Sequence, residues 1–156
     1  MSIDFLKEYF QTILFFVLFN SAILSFTVIL HELGHLYLGY INGCTGKIIL
    51  LDVEKYGTYT ELKCNTAVNE KVLALGGLLF TIPLSILFLF LEEAEKNFFY
   101  VILGLSLSIA SLDVNQILHT NIFFPLINLI SVILIIYGEI VITKQRIFIS
   151  EAESEE

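Results

Sequence analysis

His31, Glu32 and His35, in the run His31-Glu32-Leu33-Gly34-His35, are the residues of this chain whose types and spacing can do chemistry. On a helix, two histidines four positions apart project from one face one turn apart, so both imidazoles can reach a single metal ion. The glutamate beside the first histidine can then deprotonate a water held by that ion. Two nitrogens plus a carboxylate, with a fourth position open, favour one zinc ion as the cofactor. A membrane di-iron oxygenase needs many more histidines than the three present.

The elements that must position this motif are apolar. The run from Ile13 to Leu30 leads straight into it, and hydrophobic residues make up 56% of the chain, against about 45–50% in soluble domains. Mean hydropathy is +0.83. These values predict an α-helical integral membrane protein with about four transmembrane helices, over 10–40, 71–91, 97–112 and 122–142. The first, at about 45 Å for some thirty residues, exceeds a hydrocarbon core of about 30 Å and must tilt, protrude or break. Its start carries Asp4 and Glu8 beside Lys7 and no small-residue cleavage site, so it reads as a retained span and not as a signal peptide. Residues 1–145 then form one membrane-embedded domain, and 146–156 an acidic, frayed tail that holds four of the sixteen acids in its last six positions. That tail accounts for much of the formal charge of −8, and no basic cluster speaks for nucleic acid.

Between the first two spans, Lys47–Val53 and Thr58–Lys63 are β-rich runs, with Lys55-Tyr56-Gly57 as the turn. The spacing predicts a β-hairpin over about 46–64, after a turn at Asn42-Gly43. A lone hairpin is marginal in water, so this one is expected against the spans or the membrane surface. Cys44 and Cys64 lack zinc-ribbon spacing and read as reduced thiols, forming one disulfide only if their segment faces an oxidising compartment. Lys47, Lys55, Lys63 and Lys71 fall on the hairpin side, and Lys7, Lys96, Lys144 and Arg146 on the other, a balance that gives no orientation.

With four spans, the ends of the first and third emerge on the same side. Asp113, the acid beside the third span, is therefore the expected third metal ligand, with His119 and Glu70 as competitors. Asn69 and Glu70 also suit the start of the second span as caps. Small residues mark close helix contacts: Gly76, Gly77 and Pro83 in the second span, and Gly104, Ser108 and Ser111 in the third. At 100° per residue the last three share a stripe with Asn115, and Asp113 points the other way. Either the third helix breaks near Ser111, or the metal lies away from the stripe. Asn115 is a candidate for positioning substrate.

On these residues the chain resembles the site-2 protease family of intramembrane zinc metalloproteases. The resemblance covers residues 13 to 119: His31-Glu32-Leu33-Gly34-His35 on a membrane helix, the hairpin after it, Ala74-Leu75-Gly76-Gly77-Leu78-Leu79, and Leu112-Asp113. The fourth span is an addition to that three-helix core, and Val114-Asn115-Gln116 follows Asp113 where the family often has Asp-Gly. The resemblance implies zinc held by His31, His35 and Asp113, with Glu32 as the catalytic base that cleaves transmembrane protein or peptide substrates within the bilayer. It also implies an active site toward the cytosolic side. A transmembrane substrate must unwind, and the hairpin edge offers β-addition to the extended strand. The rival reading is a non-proteolytic membrane metal-binding protein or scaffold. Transport is disfavoured because the second and fourth spans carry almost no ionisable groups besides Glu139.

Overall fold

A single helix, α1 (Ile3–Ile41), carries the whole motif. The computed structural model describes residues 3–52, 57–91, 95–118 and 123–153. α1 is not broken at the motif, and at about 58 Å it is longer than a hydrocarbon core of about 30 Å. It ends where the sequence signals a turn: the Asn42 N–H reaches the Leu38 carbonyl (3.2 Å), and Gly43 adopts φ +77°, a left-handed conformation that glycine takes at no steric cost.

The chain continues through strands β1 (Cys44–Asp52) and β2 (Gly57–Cys64), then helices α2 (Glu70–Leu87), α3 (Phe98–Leu118) and α4 (Phe123–Glu153). Four helical stretches are long and apolar enough to cross a membrane: Ile13–Ile41, Glu70–Phe90, Phe98–Asn115 and Phe123–Gln145. α4 extends past residue 145 into the segment expected as a tail; no glycine or proline interrupts its last eleven positions, Thr143 to Glu153.

Packing follows membrane logic. Large aliphatic side chains such as Leu18 and Leu129 are exposed, whereas the fully buried positions are mostly small hydroxyl residues, among them Ser106, Ser131 and Thr81. Each of these hydroxyls donates to a carbonyl one turn back, on Ile102, Ile127 and Gly77. They can therefore sit in helix seams without an unsatisfied polar group. The α3–α4 seam is built on the predicted stripe: Gly104 lies against Ser131 and Ile135 of α4. Asn128 joins the same seam, accepting from the Ser108 hydroxyl (3.1 Å) and donating to the Ser111 hydroxyl (3.2 Å). α3 does not break at Ser111, so the stripe faces α4 and the opposite face, with Asp113, is turned toward α1.

The hairpin is antiparallel, pairing Cys44 with Cys64, Lys47 with Glu61 and Ile49 with Tyr59, with an irregularity before Asp52 pairs with Gly57. It packs on the end of α1, where the Leu62 side chain fills the space over Gly39. Lys55 and Tyr56 of the expected turn lie outside the described residues, and Gly57 already belongs to β2. The expectation of two free thiols is corrected: Cys44 and Cys64 form a disulfide. The strand register sets the two residues directly opposite each other, closing the hairpin at its open end.

Candidate metal centre

Three donor atoms converge between α1 and α3. His31 Nε2 and His35 Nε2 are 3.1 Å apart, and Asp113 Oδ2 lies 2.8 Å from the first and 3.2 Å from the second. A tetrahedral zinc site with bonds of about 2.0–2.1 Å sets its ligand atoms about 3.3 Å apart. The three separations fit that triangle.

The hydrogen bonding around the triangle also fits a cation. His35 Nδ1 lies 2.7 Å from the Leu73 carbonyl. A carbonyl only accepts, so Nδ1 carries the ring proton and Nε2 turns its lone pair to the centre. This is the outer contact that fixes the tautomer of a metal-binding histidine. Asp113 Oδ2 is buried with no hydrogen-bond partner of good geometry among the described residues. Two ring nitrogens and a carboxylate oxygen facing one another in this way form a donor set that could hold a metal ion.

α2 supplies the wall behind the centre, which explains its glycine pair. A Cβ on Gly77 would overlap the His31 ring, and one on Gly76 would come within 2.6 Å of the Gly34 carbonyl oxygen. Gly76 thus lets α1 and α2 touch backbone to backbone, and Gly77 leaves room for the imidazole. Gly34 of the motif has the same packing role from the other side, since its own Cβ would strike the Gly76 carbonyl.

Glu32 is buried, 8% exposed, and is not one of the three converging donors. It borders the same cleft, of about 480 Å³, together with His31, His35, Asp113 and Thr60. The Thr60 hydroxyl, on β2, lies 2.8 Å from Glu32 Oε2 and 2.9 Å from the Glu32 carbonyl oxygen.

The other candidates take different places. Glu70 lines the cleft but stands outside the triangle, in the first turn of α2, where Asn69 Oδ1 accepts from the Lys71 N–H (3.0 Å). Asn115 shares the helical phase of Ser108 and Ser111 and does not line the cleft. His119 lies outside the described residues. Thr60 was not singled out from sequence, and the Cys44–Cys64 bridge was weighed there only as the alternative to two thiols; their signals were the period-2 face shared by Thr58, Thr60 and Leu62, and the hairpin register.

Neither a scan against known protein families nor comparisons with curated proteins and with solved structures return a match.

Proposed function

We propose that this multi-pass membrane chain is an intramembrane zinc metalloendopeptidase that hydrolyses a peptide bond in a membrane-protein substrate. The observation that carries this reading is the pairing of a three-donor triangle with a buried carboxylate that is not part of it, both bordering one cleft. His31, His35 and Asp113 would hold the ion. A zinc ion held there would supply Lewis acidity toward a carbonyl and toward water. Glu32 takes the proton of the attacking water and returns it to the departing amine. The resemblance of the motif and its setting to the site-2 protease family supports the same assignment.

For the side of the membrane, the disulfide favours an oxidising compartment at the hairpin and the cleft beneath it. The resemblance alone implied the cytosolic side, and the bridge argues against it.

The test uses the full chain reconstituted with a set of single-span peptides, with cleavage read by mass spectrometry and metal by elemental analysis. Glu32→Gln should keep one zinc per chain and lose cleavage. Undiminished cleavage by Glu32→Gln would overturn the peptidase reading, and stoichiometric zinc with no cleavage by the wild type would favour a non-proteolytic metal-binding protein.

A further inference from the structure

We infer that Thr60 is a positioning residue for the Glu32 carboxylate, so that β2 is a working part of the site. The inference rests on the peptidase reading and adds to it a residue outside the motif.

The inference rests first on a proton count. The Thr60 hydroxyl has two acceptors in range, Glu32 Oε2 at 2.8 Å and the Glu32 main-chain oxygen at 2.9 Å, and only one proton to give. Toward an ionised carboxylate it donates, because a charged acceptor makes the stronger bond. The second acceptor, the Glu32 main-chain oxygen, places the same hydroxyl against the backbone of α1, so the contact fixes the carboxylate relative to its own helix.

The second support is the way the strand is fixed. Leu62, two residues on and on the same strand face, packs over Gly39 of α1, and the Cys44–Cys64 bridge closes the open end of the hairpin. Thr60 therefore meets Glu32 at a depth fixed by the two anchors that follow it along the strand. A one-residue slip in register would turn Thr60 to the other face.

The test compares Thr60→Val, Thr60→Ala and Thr60→Ser in the full reconstituted chain. Valine keeps the shape and removes the hydroxyl, alanine removes both, and serine restores the hydroxyl. We expect kcat to fall by about 10–100-fold for valine and alanine and to recover with serine, with KM and zinc stoichiometry unchanged. A readout independent of cleavage is a thermal-unfolding double-mutant cycle of Thr60→Val with Glu32→Gln on the zinc-loaded chain. Non-additive shifts in Tm support the contact even if the peptidase reading fails. Wild-type kcat in both valine and alanine variants, or additive Tm shifts, overturn the inference. Equal losses in all three variants, serine included, assign Thr60 a purely structural role and overturn it as well.

Discussion

The His35 imidazole is tied to α2 through main chain: its Nδ1 donates to the Leu73 carbonyl across 2.7 Å. Because the acceptor is backbone, no substitution at position 73 removes it directly. The bond leaves Nε2 facing the donor triangle. In ¹⁵N-histidine NMR, zinc addition should therefore move the His35 Nε2 resonance strongly while Nδ1 keeps its proton. A metal-induced loss of the Nδ1 proton at His35 would show that the ring binds through the other nitrogen.

Asp113 closes the donor triangle from a different helix, so its removal should act on metal and leave the motif helix in place. Asp113→Asn keeps volume and loses charge, and should weaken zinc by about 100-fold or more, beyond what loss of an outer contact costs. Competition with a chromophoric chelator measures this. Full zinc affinity in Asp113→Ala would pass the third position to Glu70 or His119.

Gly77 is defined by what it must not carry. Alanine there would push directly into the His31 ring, and overpacking of this kind costs about 1–3 kcal/mol. Gly77→Ala should lower zinc affinity and Tm together. By contrast Asn128→Ala, in the α3–α4 seam, should cost stability by about 0.6–2 kcal/mol and leave zinc affinity intact. Thermal unfolding and zinc titration on the two variants separate the seam from the site.

The Cys44–Cys64 bridge predicts a labelling pattern. In native membranes both thiols should resist maleimide, and both should react after reduction and denaturation. Protection confined to preparations made under oxidising conditions would place the hairpin in a reducing compartment and return the cleft to the cytosolic side.

Much of this was legible from residues alone, because the signals were local or topological. His31 and His35 share a helix face by spacing. Asp113 is the acid that two further crossings return to the same side. The choice left at Ser111, between a broken helix and a metal lying away from the stripe, is resolved by α4: Asn128 and Ser131 give the stripe a partner, so the helix has no reason to break. The hairpin was visible as two β-rich runs around a turn, but its register was not. From Cys44/Cys64 to Ile49/Tyr59 the pairing is symmetric about position 54, whereas a turn centred on Tyr56 sets Cys64 opposite a residue other than Cys44. Thr60 escaped notice for the same reason, since only docking of the hairpin on α1 decides which strand face meets Glu32.

The backbone contact of Gly34 with Gly76 has a consequence for biogenesis. α1 alone offers two donors, α3 brings the third, and α2 must be seated against both before His31 and His35 are oriented. A chain caught with only its first helix inserted presents an incomplete ligand set. On the proposed zinc reading, metal uptake would follow the assembly of three helices, and zinc retention in detergent would assay whether the bundle is correctly built.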